Sequence, residues 1–210
     1  TISSVNCTSI CEDSMGTLWI GTDGSGLNAY DPATGKFRRY IARAEDTTSL
    51  SDPFVRSLYT DRAGHVWIGR SHGLNRLSYQ PDGSVNIMRF KSNRTDTIVI
   101  SDKWVQAISE DESGCLWIGT WGGLYRQEPN TNRILRVRLD GEREGTKGYD
   151  LAISLARDRD GILWVGTYEG LVRLDPKTLR SKRYSSHLSG NRKIPALQIF
   201  GILEDRAGVL

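Results

Sequence analysis

The strongest constraint on how this chain can fold is a nine-residue string, Asp-x-x-Gly-x-Φ-Trp-Φ-Gly with Φ aliphatic, written four times in full and a fifth time in part. It reads DSMGTLWIG from Asp13 to Gly21, DRAGHVWIG from Asp61 to Gly69, DESGCLWIG from Asp111 to Gly119 and DRDGILWVG from Asp158 to Gly166. A further copy, DRAGVL, starts at Asp205 and stops at Leu210, one residue before its tryptophan is due. Trp19, Trp67, Trp117 and Trp164 are 48, 50 and 47 residues apart. A period of that size belongs to propellers or solenoids. A chain of 210 residues would otherwise read as one or two unrelated domains, and the repeat makes it a single array.

Each repeat carries the chemistry of four short strands. Ahead of the Asp, Val105, Ala107 and Ser109 alternate with Gln106, Ile108 and Glu110, which predicts a first strand of period two. Asp-x-x-Gly then makes a tight turn. The carboxylate accepts a bond from a backbone amide two residues on, and Gly takes the positive φ that a hairpin turn or bulge requires. LWIGT or a variant is the second strand, with Leu18 and Ile20 on one face and Trp19 on the other. Its β propensity and the area an indole buries place it at the centre of packing. Gly-Leu pairs ending at Leu27, Leu74, Leu124 and Leu171 open a third strand. Pro32, Pro81, Pro129 and Pro176 end it, because proline has no amide to give the ladder. A fourth strand begins at Lys36, Val85, Ile134 and Leu179.

Four antiparallel strands in about 48 residues describe a propeller blade. The expected fold is all-β, a β-propeller of four-stranded antiparallel blades over residues 1–52, 53–102, 103–148 and 149–194, with the start of the next blade at 195–210. Such an array leaves its end faces uncovered. The expectation is an open arc from a larger ring of about seven blades, with apolar surface at the truncated edge. Beginning at Thr1 and stopping inside a motif, the chain reads as a piece of a longer protein.

Charge and composition narrow the function classes. Basic side chains number 28 against 25 acidic ones, a formal charge of +3, too small an excess to mark a nucleic-acid surface. No run reaches the roughly 18 apolar residues of a membrane span, so membrane attachment would lie outside this chain. Cys7 and Cys11 would lie about 13 Å apart on a strand, too far for a disulfide, and with Cys115 they read as buried small hydrophobes. His65, His72 and His187 have no metal-ligand spacing. Asp158 to Gly161 lacks the further ligands of a calcium loop, and no helix follows the glycine-rich Gly21 to Gly26 to hold a phosphate. These patterns lead us to expect no catalytic residue, metal or cofactor.

The string D-x-x-G-x-L-W-I-G-T, followed by G-L, D-P-x-T-G and a basic, aromatic strand, resembles the two-component regulator propeller repeat. The resemblance covers essentially the whole chain, whereas the Gly-His and Trp-Asp pairing of WD40 blades and the kelch double glycine are missing. Arg70 departs from Thr22, Thr120 and Thr167, and Gln80 and Glu128 replace the Asp before proline. The resemblance implies the periplasmic sensor region of a hybrid two-component histidine kinase of the Bacteroidetes type, dimeric at full length. It further implies an oligosaccharide signal and transcriptional control as output; some relatives carry other output modules. Two alternatives stand beside it. Streptogramin lyases have similar blades and place His and Glu around a divalent metal, for which His72 and Glu169 are the candidates here. A protein-docking or dimerisation platform is the other.

The strand order sends the Asp-x-x-Gly and proline turns to one side of the array, the turn side, and the second-to-third-strand links to the other, the link side. The links read Asp23-Gly24-Ser25, Ser71-His72, Trp121-Gly122 and Tyr168-Glu169, a different chemistry in each repeat on a constant scaffold. Sugars need flat aromatic faces and planar polar groups, with Arg added for a carboxylate or sulfate. Trp121 and Tyr168 are the candidate platforms, and Asp23, Arg70, His72 and Glu169 the candidate polar partners. Trp104 heads a first strand near the channel mouth. The four repeated tryptophans read as packing.

Overall fold

A computed structural model describes residues 1–71, 73–90, 100, 104–129, 131, 133–140, 151–195 and 198–210. Four four-stranded sheets account for nearly all regular structure among them. The first contains β1 (Cys7–Glu12), β2 (Leu18–Thr22), β3 (Leu27–Asp31) and β4 (Lys36–Tyr40), and the second β5 (Val55–Thr60), β6 (Val66–Arg70), β7 (Gly73–Tyr79) and β8 (Val85–Phe90). The third contains β9 (Val105–Glu110), β10 (Leu116–Thr120), β11 (Gly123–Gln127) and β12 (Ile134–Val137). The fourth contains β13 (Ala152–Arg157), β14 (Leu163–Thr167), β15 (Gly170–Leu174) and β16 (Ser181–Tyr184). Within each sheet the strands pair in sequence order, the all-β, four-stranded blades expected from the repeat. β16 starts two residues later than the sequence suggests. Leu179 closes the preceding turn with its N–H on the Asp175 carbonyl at 2.9 Å and a left-handed φ of 58°.

The motif builds its turn as predicted and adds a bond within itself. In the first copy Asp13 Oδ1 accepts from the backbone N–H of Met15 and of Thr17, each at 2.9 Å, and Gly16 takes φ of 80°. The second carboxylate oxygen accepts from the indole of the same repeat: Trp19 to Asp13 at 2.6 Å, Trp67 to Asp61 at 2.7 Å, Trp117 to Asp111 at 2.8 Å and Trp164 to Asp158 at 2.7 Å. One Asp thus fixes the turn and orients the Trp, and bonds to an ionised acceptor are the stronger kind. Asp205 in the fifth copy makes the same turn, accepting from Ala207 and Val209.

The chain divides into two compact units, Thr1–Ile108 and Ser109–Leu210. In the first, Trp19, Leu27 and Ala29 pack against Val55, Val66, Ile68, Leu77 and Ile87, with Leu50 of the linker between them. Close approach depends on the motif's last glycine. A Cβ on Gly21 would lie 2.5 Å from Val55 Cγ1, and one on Gly69 would lie 2.1 Å from Ser57 Oγ and 2.6 Å from Val105 Cγ1. In the second unit Trp117, Leu124, Val137 and Leu139 pack against Ala152, Leu163, Val165, Val172 and Leu174, and a Cβ on Gly119 would lie 2.8 Å from the Ala152 carbonyl.

An arginine on the fourth strand holds the linker entering its sheet. Arg89 donates to the carbonyls of Arg43, Asp46, Ser49 and Leu50, and Arg183 donates to the Asp140 carbonyl at 2.7 Å. Apolar surface stands exposed along the first strand's side, at Val5, Ile10 and Met15, and in the last segment, at Phe200, Leu203, Val209 and Leu210. Cys115 alone of the three thiols is buried. The expectation fails for Cys7, which lies on the exposed face of β1, and Cys11 is half-buried; all three are free.

Candidate functional site

The link side is built from the ends of first strands and from the links. In the first, second and fourth sheets the first strand carries a β-bulge in the same place, between Cys7 and Ser9, between Val55 and Ser57, and between Ala152 and Ser154. A bulge leaves one residue out of the ladder and re-aims its side chain. That residue is Thr8, Arg56 or Ile153, whereas each is followed by a serine facing the motif glycine: Ser9 opposite Gly21, Ser57 opposite Gly69 and Ser154 opposite Gly166. The constant position serves assembly. Ser57 Oγ donates to the Val105 carbonyl at 3.1 Å and Ser154 Oγ to the Ile199 carbonyl at 2.9 Å. The bulged position is free to differ.

In the first unit the candidates gather around Arg56, which sequence reading missed. Its Nη2 lies 3.2 Å from Asp23 Oδ1, its Nε is 3.4 Å from Ser71 Oγ, and its guanidinium carbon stands 4.7 Å from the Trp104 ring centroid and 6.0 Å from that of Phe54. Asp23 and Trp104 are therefore brought together, through a residue between them. Phe54 stands 41% exposed, and Gly24 of the link packs under its ring, where a Cβ would lie 3.2 Å from Cε1.

Arg70 occupies a different layer. Where Thr22, Thr120 and Thr167 donate a hydroxyl to the carbonyl of the glycine ending the link, Arg70 is buried at 3% exposure. Burial pushes its guanidinium down to about 10, partly offset by the charge of Asp52. His72 lies outside the described residues.

In the second unit Trp121 stands 44% exposed at the apex of a two-residue link, closed by Thr120 Oγ1 accepting from the Gly122 N–H at 2.9 Å. Tyr168 is half-buried, edge-on to Phe200 with ring centroids 6.1 Å apart. Glu169, beside it, has Oε2 4.0 Å from His187 Nε2. Two clefts open on the turn side. One of about 500 Å³ has Glu112, Arg126, Asp160 and Lys177 among its lining, and one of about 440 Å³ is lined by Trp19, Arg38, Tyr40 and Tyr79 among others. Among the described residues no group of three or more His, Cys, Asp or Glu is placed to hold a metal ion, and no helix is long and apolar enough to cross a membrane.

Repeated four-stranded meanders, each with the same Asp–Trp bond, define a β-propeller repeat protein. The model for the family described as "Two component regulator propeller" matches residues 1–24, 49–69, 100–122 and 149–169, one match in each full repeat. Over 76 residues, 36% of this chain and 5% of the relative, it is 36% identical to Histidine kinase P4 of Formosa agariphila. The extracellular domain of a proposed hybrid two-component system from B. thetaiotaomicron superposes with a TM-score of 0.75 at 22% identity, covering 98% of this chain and 25% of that one. A catalytically inactive virginiamycin B lyase from Staphylococcus aureus, solved with quinupristin, gives 0.63 at 15% identity over 88% of this chain and 57% of that one. Both structural likenesses concern the fold.

Proposed function

We propose that the chain is an extracytoplasmic, periplasmic ligand-sensing region of a two-component sensor, and that its link side recognises an oligosaccharide. In this reading the chain is not itself an enzyme. Occupancy is relayed through the rest of a dimeric polypeptide to a kinase that controls transcription. Kinship with a histidine kinase and the likeness to the extracellular domain of a two-component system support the sensor role. The single observation that carries the ligand reading is Trp121. A large aromatic stands 44% exposed on a two-residue link, a place held by Asp23, Ser71 and Tyr168 in the other full repeats, above a turn-and-tryptophan frame that does not vary. An aromatic plane held out on a rigid strand end suits the C–H face of a sugar ring.

Calorimetric titration of the chain with a panel of neutral and acidic oligosaccharides tests the proposal. Binding by at least one sugar is expected, and Trp121→Ala and Tyr168→Ala should abolish it with the melting temperature preserved. No binding across the panel, or affinity unchanged in both variants, would sink the oligosaccharide reading.

A further inference from the structure

We infer that Asp23 and Arg56 form a subsite for an uncharged sugar unit, reading two neighbouring hydroxyls, with Phe54 as the apolar wall beside it. The inference rests on the oligosaccharide reading above and deepens it by naming the ligand's charge at one position.

Three observations lead there. The bulge in β5 lifts Arg56 out of the ladder and delivers it to the link side, while the matching positions hold Thr8 and Ile153. Assembly of the blades does not call for a charge at this place: Thr8 joins the sheets by donating Oγ1 to the Val55 carbonyl at 2.7 Å, and Ile153 has no polar group at all. An ion pair as exposed as Asp23 with Arg56, at 40% and 22% of their side chains, also adds little stability.

Preorganisation is the second observation. The guanidinium lies 4.7 Å from the Trp104 ring and bonds Ser71, so its plane is set before any ligand arrives. Asp23 is set as well, its N–H bonded to the Asn6 carbonyl at 3.0 Å.

Charge balance is the third, and it reverses the simple expectation for an arginine at a sugar site. Asp23 Oδ1 stands 3.2 Å from Arg56 Nη2, so the positive charge is already answered. An incoming carboxylate or sulfate would meet the Asp23 carboxylate at close range, and like charges brought together repel. A pair of adjacent hydroxyls fits instead. One donates to Asp23 Oδ2, which has no bonding partner among the described residues, and the neighbouring oxygen accepts from an Arg56 N–H. Phe54, exposed and braced by Gly24, offers its face to the carbon side of the same ring.

The test is titration of the chain with cellotetraose, xylotetraose and mannotetraose as neutral probes, and with tetragalacturonate and tetramannuronate as acidic ones. The wild-type chain should prefer a neutral probe. Asp23→Ala should weaken that probe at least tenfold while strengthening the acidic ones, because Arg56 is then unanswered. Arg56→Ala should weaken the neutral probe by a similar factor without strengthening the acidic ones. Asp23→Asn, of the same shape, guards against misfolding and should move the preference in the same direction as Asp23→Ala. Preference for the acidic probes in the wild-type chain overturns the inference. So does neutral binding that Asp23→Ala and Arg56→Ala leave intact, and if Trp121→Ala then abolishes it the broader reading survives. Absence of binding by every probe overturns both.

Discussion

The turn side and the link side of the same strands obey different rules. On the turn side one carboxylate in each repeat bonds the indole six residues on and the turn amides, over the narrow range 2.6–2.8 Å for the indole, and the fifth copy repeats the turn even without its tryptophan. On the link side the bulged residue is Thr, Arg or Ile, and the links hold Asp, Ser, Trp or Tyr. The difference shows where packing sets the residue and where it sets only the position. Substitutions should therefore separate into those that unfold a blade and those that leave it folded and change what it binds.

Gly69→Val should give the largest loss. A Cβ there would lie 2.1 Å from Ser57 Oγ and 2.6 Å from Val105 Cγ1, inside a seam with buried atoms on both sides. We expect a cost of about 3 kcal/mol or more, the upper range for overpacking, read as a shifted urea midpoint or as failure to fold. A stable Gly69→Val chain would show that neighbouring sheets are not held as closely as the glycine implies.

Asp111→Ala comes next. It strips the indole of Trp117 and the backbone N–H groups of Ser113 and Cys115 of their acceptor in a buried setting. A loss of about 2–4 kcal/mol is expected from one charged acceptor and the donors it leaves unmet. Asp205→Ala sharpens the comparison: the same turn is exposed there, and its loss should come to less than about 1 kcal/mol. Equal losses at the two positions would mean that the indole bond contributes nothing.

What could be read in the sequence follows the same division. Turns, strand order and the packing role of the tryptophans were legible because each rests on residues within one motif, repeated often enough to average out accident. The Asp-to-Trp bond was within reach, since the two residues never occur apart in the full copies, but Asp was read through its turn alone. Arg39, Arg89, Arg136 and Arg183 face the third strand at one shared register and could have been found by aligning the fourth strands. Arg56 could not be found that way. Strand alternation puts it on the same face as Leu58, and the bulge between Val55 and Ser57 breaks that parity. Arg70 misled for a related reason: its position at the strand end suggested display, whereas the depth of the Thr22-type site buries it.

A smaller effect should appear at alkaline pH, where the first two sheets meet on the turn side. The Tyr79 hydroxyl donates to Asp13 Oδ2 at 2.7 Å, and burial together with the Asp13 charge pushes it up to about 12. A phenol that ionises later in the folded chain than in the unfolded one stabilises the fold fully below pH of about 10. That contribution is lost as pH rises from there towards 12. Partial exposure screens it to no more than about 1 kcal/mol. Tyr79→Phe should flatten this limb of the stability curve measured by denaturant melts between those values. A curve of the same slope in the variant would assign the alkaline loss to other groups.

The smallest change in stability should accompany the largest change in binding. Trp121 lies 44% exposed, and its link is closed by the Gly122 N–H on Thr120 Oγ1, so Trp121→Ala should alter stability by less than about 1 kcal/mol. Trp117, four residues earlier, is fully buried and bonded to Asp111, and Trp117→Ala should cost several-fold more, in the range of about 3–5 kcal/mol. Two tryptophans at either end of one strand thus give opposite readouts. Melting temperature should follow Trp117, and under the proposed function oligosaccharide affinity should follow Trp121. If Trp121→Ala melted as early as Trp117→Ala, the exposed ring would be part of the frame, and the distinction between the two sides would fail at the residue that expresses it most directly.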